Sequence, residues 1–377
     1  MRGSKRKNSL FFNPLTLTLS PGERESKAIL RKSCFSLPAS FSGTGFGMTT
    51  ESLWMPSCSP DALLRRARLL AGIRRFFAER EVLEVETPLL CQTGVTDPHL
   101  HAFTTRFHLP GAGLGREMYL QTSPEFAMKR LLASGSGSIY QICKAFRNEE
   151  SGRHHNPEFT LLEWYRVGFS LSDLMDEIDA LLAAVCREGL PLGVAERLAY
   201  AGIFERHLGI DPLAVSLDDF SRCARQRELP EAEALCGDDR GAWLDLLFSY
   251  FVQPHLGRGR LSFVYGYPAC LPSLARENPD DPRVVERVEV FLGGLELGNG
   301  FHELADAEEQ EARFDADLSE RLGRGVALPP KDERLLAALR SGLPDCSGMA
   351  IGLDRLLMLL AGEEAIGGVL AFPVERA

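Results

Sequence analysis

A single segment, QICKAFRNEESGRHHNPEFTLLEWYR from Gln141 to Arg166, restricts the fold of this chain more than any other. Two runs rich in apolar residues flank a polar loop, and this pattern predicts a β-hairpin. Side chains alternate between the faces of a strand, so Phe159, Glu163 and Tyr165 share one face of the second strand. The matching face of the first strand ends at Arg147, and the opposite faces are apolar. We therefore expect a hairpin that packs on one side and binds a ligand on the other; the alternative is an exposed hairpin that carries charge pairs.

The residue types on the polar face favour a nucleotide. A guanidinium on a rigid strand, such as that of Arg147, suits a phosphate, because its planar fork donates bidentate, charge-assisted hydrogen bonds. The phenyl ring of Phe159 can stack on a base. The hairpin is therefore a candidate nucleotide site.

A second hairpin is predicted in VEVFLGGLELGNGFHEL, from Val288 to Leu304. Its Gly-Gly pair suits a two-residue loop. That loop places Phe291 opposite Glu296 and Glu289 opposite Gly298. Glu289 and Glu296 then fall on one face of the sheet, diagonally adjacent.

Two carboxylates that lie so close repel each other unless a cation sits between them. Oxygen ligands with retained water suit Mg²⁺ shared with nucleotide phosphates. Glu289 and Glu296 are therefore candidate magnesium ligands, and the alternative is a pair of solvated glutamates on an exposed face. Glu303 follows in the same segment and is available to an ammonium group.

A third segment, GMAIGLDRLLMLLAG from Gly348 to Gly362, predicts a strand, a turn and a helix. Gly352 lets a ligand approach the backbone at the start of the helix, where amide donors favour anions. Arg355, in the first turn, can reach a phosphate. The three segments together indicate ATP with Mg²⁺ and a cationic amino acid, and hence attack of a carboxylate on the α-phosphate to give an adenylate and pyrophosphate.

The order of the predicted elements favours an α+β fold with an antiparallel sheet, because strands come in hairpins with helices between them. A helix is well marked at Ser59, which can cap it, with Pro60 at its first position. No apolar run approaches the ~20 residues that span a bilayer. Nine cysteines without a CxxC pair favour reduced thiols and a cytoplasmic protein over a disulfide framework or a zinc site.

The first 47 residues differ in composition from the rest. Residues 1–47 carry eight basic and two acidic residues, so the overall charge of −10 leaves −16 for residues 48–377. We expect residues 1–47 to be disordered or to result from a start codon placed too early, with a functional basic tail as the alternative. An acidic body argues against a large nucleic-acid footprint, although it does not exclude a local basic patch.

These segments resemble the signature motifs of class II aminoacyl-tRNA synthetases. VLEVETPLL resembles motif 1, which implies that Pro88 lies at a homodimer interface; FRNEESGRHHNPEF resembles motif 2 and GMAIGLDRL resembles motif 3. TSPEFAMKRLL, LEWY and GNGFHEL are similar to the lysyl branch. The resemblance implies the class II catalytic fold, an antiparallel sheet flanked by helices, over residues 48–377.

One departure from the lysyl pattern bears on function. A lysyl-tRNA synthetase carries an anticodon-binding OB-fold before motif 1, of order 100 residues, and residues 48–83 leave no room for it. Such a shortened chain resembles the elongation factor P–(R)-β-lysine ligases. That resemblance implies activation of (R)-β-lysine with ATP, its transfer to a lysine ε-amine of elongation factor P, and no binding of tRNA. The alternatives are a lysine-activating enzyme with another acceptor and a catalytically inactive amino-acid sensor.

Matching the motifs residue by residue implies a nucleotide site. Arg147 is expected to hold the α-phosphate and Arg355 the γ-phosphate, which makes these two the catalytic residues. Phe159 is expected to stack on adenine, and Glu289 and Glu296 to hold Mg²⁺. The other contacts with ATP are expected from Asn148, Glu149, His155, Asn156, Glu296, Leu297 and Gly352.

The resemblance also implies an amino-acid pocket. Ala350 stands where lysyl-tRNA synthetases usually have glycine, and its methyl group is expected to favour an amine on the β carbon. His154 is either a solvated loop residue or part of the nucleotide loop, and we assign no metal to it. The pocket is expected to be lined by Ser123, Pro124, Glu125, Tyr165, Asn299, Glu303 and Ala350.

Overall fold

The computed structural model describes residues 54–111, 113, 115–187, 190–271 and 273–377. The expectation for residues 1–47 lies outside the described residues. In chain order the strands are β1 (Leu83–Glu84), β2 (Leu90–Cys91), β3 (Thr104–Phe107), β4 (Arg116–Leu120), β5 (Ile139–Phe146), β6 (Glu158–Val167), β7 (Gly193–Ala199), β8 (Arg260–Pro268), β9 (Val284–Leu292), β10 (Leu295–His302) and β11 (Cys346–Gly352).

Helices separate these strands and cover both faces of the main sheet. Short π and 3₁₀ turns follow one another at Phe248–Val252 and Gln253–His255, and another 3₁₀ turn lies at Ile366–Gly368. The helices are α1 (Pro60–Ala78), α2 (Glu125–Ala133), α3 (Leu171–Cys186), α4 (Tyr200–Leu208), α5 (Leu217–Gln226), α6 (Ala232–Cys236), α7 (Arg240–Leu247), α8 (Ala307–Arg324), α9 (Glu333–Ser341) and α10 (Leu353–Ala361).

The main sheet has eight strands in the order β1-β5-β6-β11-β10-β9-β8-β7. All neighbouring strands in it are antiparallel except the two outer pairs, β1 with β5 and β7 with β8, which are parallel. A smaller sheet has the order β2-β4-β3. The α+β prediction with a mainly antiparallel sheet is therefore confirmed.

The first predicted hairpin is confirmed in both its elements and its faces. β5 and β6 pair with Gln141 opposite Glu163 and Ala145 opposite Phe159. The other face carries side chains that are buried in the core, such as Trp164. The alternation read from the sequence thus separates a packing side from a side that is open to a ligand.

The second hairpin forms, but the predicted register is wrong in its outer part. Phe291 lies opposite Glu296 as expected, whereas Glu289 lies opposite Asn299 and not Gly298. A β-bulge between Glu296 and Gly298 adds one residue to β10 and shifts the pairing beyond it. Because of this shift, Glu296 and Asn299 share a face although three positions separate them.

Three clusters of buried side chains surround the sheet. The first lies between one face of the sheet and helices α1, α3 and α10. The second lies under α4–α7 at the β8 and β9 end of the opposite face, and the third lies under α2, α8 and α9 near β5 and β6. The middle of that opposite face is therefore covered by neither helical group.

Helix α1 begins where the sequence predicted, at Ser59 and Pro60. Ser59 caps it, with its side chain accepting a hydrogen bond from the Ala62 amide, and Pro60 is its first residue. Its buried side chains are Ala62, Leu69, Ile73, Phe76 and Phe77, whereas Leu63 and Leu64 are exposed. The segment Val82–Leu90, which resembles motif 1, forms only the short strand β1, held by a single parallel partner, and the first residue of β2.

None of the described helices is both long and apolar enough to cross a lipid bilayer. The cysteines within the described residues are all free thiols.

Candidate active site

A cavity of about 780 Å³ opens over the middle of the main sheet, on the face that lies between the two helical groups. Its floor consists of side chains from β6, β9, β10 and β11, and loops before α2 and after β5 close its sides. Most of the residues that the sequence assigned to ATP or to an amino acid line this one cavity. The hairpin contributes Arg147, His154, His155, Asn156, Phe159 and Tyr165 to it.

The other contributors come from the two remaining motifs and from α2. β9 and β10 supply Glu289, Glu296, Leu297, Asn299 and, just beyond the end of β10, Glu303. Ser123, Glu125, Ala350, Gly352 and Arg355 complete the set. Segments that are far apart in the sequence are thus brought together by the pairing order of the sheet.

Three predicted residues do not line the cavity: Pro124, Asn148 and Glu149. Glu149 is exposed and has a positive φ of 67°. That turn directs the chain so that the next residue, Glu150, is the buried carboxylate at the cavity. Glu150 is a site residue that the sequence analysis missed.

Arg147 and Phe159 form one end of the cavity. The Arg147 guanidinium carbon lies 5.1 Å from the centroid of the Phe159 ring, and its Nη1 lies 3.8 Å from Glu150 Oε1. Its Nε is buried and makes no hydrogen bond to any described residue. A partly exposed guanidinium with an unused, buried donor suits an anionic ligand such as a phosphate.

Arg355 joins three elements of the site. Its Nη1 donates to the Glu296 carbonyl oxygen at 2.9 Å, and its Nη2 lies 2.6 Å from Nε2 of His155. Gly352 precedes it at the start of α10, and a Cβ there would lie 3.8 Å from the Leu297 carbonyl oxygen. Packing alone therefore does not require glycine at this position, which agrees with a ligand passing close to the backbone.

The predicted magnesium ligands lie side by side above the sheet. Glu289 accepts hydrogen bonds from Arg287 at 2.5 Å and from the Tyr267 hydroxyl at 2.6 Å. Glu296 Oε2 is buried and has no hydrogen-bond partner among the described residues. Burial and the neighbouring Glu289 charge raise the pKa of Glu296.

The chemistry of this pair fits one hard cation. A divalent ion would neutralise the two charges and occupy the unused oxygen of Glu296, with water and phosphate oxygens completing its shell. Among the described residues, no group of three or more His, Cys, Asp or Glu side chains has the arrangement of an all-protein metal site. A site of two carboxylates therefore requires a ligand such as a nucleotide to complete it.

The opposite end of the cavity is rich in carboxylates. Glu163 accepts hydrogen bonds at 2.7 Å from the hydroxyls of Ser123 and Tyr165. Burial, and then the charge of Glu125, raise the pKa of Glu163 to about 8. Burial likewise raises the pKa of Glu303. The sequence predicted that Glu163 lies on the binding face of the hairpin but did not indicate which ligand it contacts.

Lys129 is a further residue that the sequence analysis missed. Its Nζ lies 2.6 Å from Glu125 Oε1 and 2.6 Å from Glu303 Oε2. Although burial lowers the pKa of Lys129, these two carboxylates raise it overall. A sequence signal exists, since Lys129 follows Glu125 by four residues, a spacing that brings side chains together on a helix such as α2.

Ala350 lies in the floor between two site residues. In the sheet it is opposite Glu163 on β6 and opposite Asn299 on β10. Nearby, a Cβ on Gly348 would come within 2.5 Å of the Tyr165 ring and 2.7 Å of Glu303 Oε1. The floor therefore needs a very small residue at one position and carries an added methyl group at the other.

The sequence that forms this cavity and the sheet around it matches a family of synthetases. A family model described as tRNA synthetases class II (D, K and N) matches residues 57–376. The chain therefore belongs to the class II tRNA synthetase family. Among relatives of known name, a protein of Enterobacter sp. (strain 638) called elongation factor P--(R)-beta-lysine ligase is 51% identical over 330 residues, which cover 88% of this chain and 100% of the relative. The chain belongs, within the class, to the family of these ligases.

Proteins with the same name occur in other bacteria at similar identity. The relative in Klebsiella pneumoniae (strain 342) is 51% identical over 330 residues, again 88% of this chain and 100% of the relative. The relative in Salmonella schwarzengrund (strain CVM19633) is 50% identical with the same coverage. The recognition made from the three motifs is confirmed.

Proposed function

We propose that this chain is an ATP-dependent ligase that activates (R)-β-lysine as an adenylate and transfers it to a lysine ε-amine of elongation factor P. The observation that carries the proposal is the separation of opposite charges along the cavity. Arginines lie at one end, at Arg147 and Arg355, and carboxylates lie at the other, at the partly buried Glu125 and the buried Glu163 and Glu303. An anionic triphosphate and a diamino acid fit these two ends, and their reacting groups meet between them.

In the first step, a carboxylate oxygen of the amino acid attacks the α-phosphorus of ATP. The bond from that phosphorus to the bridging oxygen of the β-phosphate breaks, and pyrophosphate leaves with the electron pair. Arg147 is placed to neutralise charge on the α-phosphate, and Arg355 to hold the terminal phosphate. No protein nucleophile is needed, so catalysis consists of orientation and charge neutralisation.

In the second step, the neutral ε-amine of the acceptor lysine attacks the carbonyl carbon of the adenylate. An amide bond forms, the bond to the AMP oxygen breaks, and the amine loses a proton to solvent. Glu163, Glu303 and Tyr165 hold the amine end of the activated amino acid during both steps. The distance between the ammonium subsite and the reacting carbonyl then selects the length of the substrate's carbon chain.

ATP use follows from the class of synthetase, and we propose that Mg²⁺ accompanies the nucleotide. Glu289 and Glu296 would hold it, because they are buried neighbours and Glu296 has an unused oxygen. When bound, Mg²⁺ neutralises phosphate charge and screens the repulsion between the two carboxylates. The backbone carbonyl oxygen of Glu296 also accepts a hydrogen bond from Arg355. The proposed Mg²⁺ ligands and the arginine proposed to hold the terminal phosphate are therefore in direct contact.

We further propose a cytoplasmic homodimer that does not charge tRNA. Exposed apolar side chains on either side of Pro88, Leu83 at 55% and Leu90 at 41%, support the dimer. The acceptor named in the relatives is a translation factor, which supports a cytoplasmic location. Sedimentation of the purified protein would test the dimer: a monomer at micromolar concentration would refute it.

Pyrophosphate exchange with each isomer of lysine tests the activation step. We expect (R)-β-lysine to support faster exchange than α-lysine, and purified elongation factor P to gain the mass of one β-lysyl group. Equal or faster exchange with α-lysine, together with charging of tRNA, would refute the proposal. Exchange without modification of elongation factor P would favour an enzyme with another acceptor, and no exchange at all would favour a sensor.

A further inference from the structure

Arg287, on β9, is a buried cation to which the proposed mechanism gives no role. Its side chain is 11% exposed. Its Nη2 donates to Glu289 Oε1 at 2.5 Å, and its Nε donates to Asn299 Oδ1 at 3.2 Å. One guanidinium therefore connects a proposed metal ligand with a proposed amino-acid ligand.

The contact with Asn299 sets the polarity of that side chain. An asparagine amide has an oxygen that accepts hydrogen bonds and a nitrogen that donates them, and a guanidinium can only donate. Arg287 therefore engages the oxygen, and the Nδ2 group is the end left for the cavity that Asn299 lines. A donor at this point complements a carboxylate or phosphoryl oxygen and opposes an ammonium group.

The contact with Glu289 fixes the orientation of a carboxylate. Arg287 engages one oxygen, and the Tyr267 hydroxyl engages the other at 2.6 Å. The Tyr267 ring in turn packs against Arg287, with its centroid 4.6 Å from the guanidinium carbon. Glu289 therefore cannot rotate without breaking contacts on both oxygens, and its remaining lone pairs keep a fixed direction.

We propose that Arg287 is a positioning residue that aligns the two reactants, by holding Asn299 toward the carboxylate of the amino acid and Glu289 toward the phosphate side of the site. This inference rests on the proposed function. Arg287 also lines the cavity, but its donors engage Glu289 and Asn299, and in this proposal it acts through these two neighbours. A purely structural ion pair would stabilise the fold without coupling the two binding events.

A double-mutant cycle separates these roles. The variants are Arg287→Met, Asn299→Ala and the pair, and the amino-acid affinity is measured by calorimetry in the presence of a non-hydrolysable ATP analogue. We expect each single change to weaken binding of (R)-β-lysine by about 10-fold. Because Arg287 acts through Asn299, the pair is expected to bind within about 2-fold of the weaker single variant. A loss of about 100-fold in the pair, the additive result, would overturn the inference.

A second readout concerns the phosphate side and does not require turnover. Arg287→Met is expected to raise the Mg²⁺ concentration for half-maximal binding of the analogue by about 10-fold, while binding without metal changes by less than about 2-fold. Arg287→Lys keeps the charge but loses the planar fork, so it is expected to fold like the unchanged protein and still to show the metal effect. If Arg287→Lys restores both affinities, charge alone suffices and the positioning role is wrong.

The control is Arg283→Met on the preceding turn. Arg283 is 60% exposed, forms an ion pair with Asp281 and does not line the cavity. Its loss should leave both affinities unchanged. If the unchanged enzyme catalyses no pyrophosphate exchange, the proposed function fails; if it does and the cycle is additive, only the role of Arg287 fails.

Discussion

The ammonium group of Lys129 lies 2.6 Å from the carboxylate of Glu303, and neither side chain is more than 2% exposed. Glu125 pairs with the same ammonium from the other side. The amine end of the cavity therefore contains a cation of its own among three carboxylates. This arrangement limits how much negative charge remains for a substrate ammonium.

Replacing Lys129 with methionine should destabilise the protein. The change leaves the buried Glu303 and the partly buried Glu125 without their counter-ion, and breaking a buried pair in this way costs roughly 3–5 kcal/mol. Urea denaturation at pH 7 measures the loss. The double variant Lys129→Met with Glu303→Gln is expected to recover part of it, because one unpaired charge is removed; a single variant as stable as the unchanged protein would contradict this account.

The raised pKa of Glu163 predicts a pH dependence of both stability and binding. Its pKa is about 8 in the folded protein, against 4.5 for an unperturbed carboxyl group. Between these values the folded state holds a proton that the unfolded state has lost, so stability is expected to fall as pH rises through this range. Glu163→Gln should flatten that slope in thermal melts, and an unchanged slope would exclude Glu163 as its source.

The same carboxyl group should release a proton when the amino acid binds. A substrate ammonium beside Glu163 favours the ionised carboxylate, so affinity is expected to rise from pH 6 to pH 8 and to level off above that. Calorimetry in buffers of different ionisation enthalpy would detect the proton at pH 7. Binding that releases no proton would show that the ammonium does not pair with Glu163.

Replacing Ala350 with glycine should change the choice between isomers. The methyl group lies in the floor between Glu163 and Asn299, and one methyl group in a pocket is worth about 1–3 kcal/mol of discrimination. The ratio of kcat/KM for (R)-β-lysine to that for α-lysine is expected to fall by about 10-fold or more. A ratio that stays constant would place the selectivity elsewhere.

Arg355→Ala should abolish adenylate formation while the fold persists. The guanidinium contacts the Glu296 carbonyl oxygen and His155 and faces the cavity, and loss of one charge-stabilising donor typically costs a factor of about 10²–10³ in rate. Pyrophosphate exchange measures it. Arg153→Ala is the matched control, because Arg153 lies on the loop that carries His155, the contact of Arg355, but pairs with Glu364 near the surface; equal losses in both variants would refute the assignment.

The site was predictable where local patterns determine it. The alternation in β5 and β6 placed Phe159, Glu163 and Tyr165 on one face because one side of a hairpin must pack. The Ser59 cap and the turn before Arg355 were equally local. These features depend on neighbours in the sequence, so the sequence alone is sufficient to find them.

The parts of the site that could not be predicted depend on contacts between segments that are distant in the sequence. Lys129 could be placed beside Glu125 by helical spacing, but only the packing of α2 against the end of β10 brings it to Glu303. The direction of the chain at Glu149, which turns Glu150 into the cavity, depends on a positive φ that glutamate rarely adopts. Such details follow from tertiary packing, which overrides local preference.

The bulge at Leu297 has a consequence for how this protein can change over generations. Glu296 and Asn299 share one face only because the bulge adds one extra residue between them. Removing a single codon there would turn Asn299, Phe301 and Glu303 toward the wrong side of the sheet, whatever amino acids remained. In this strand the number of residues therefore matters as much as their identities, and functional descendants should not tolerate an insertion or a deletion there.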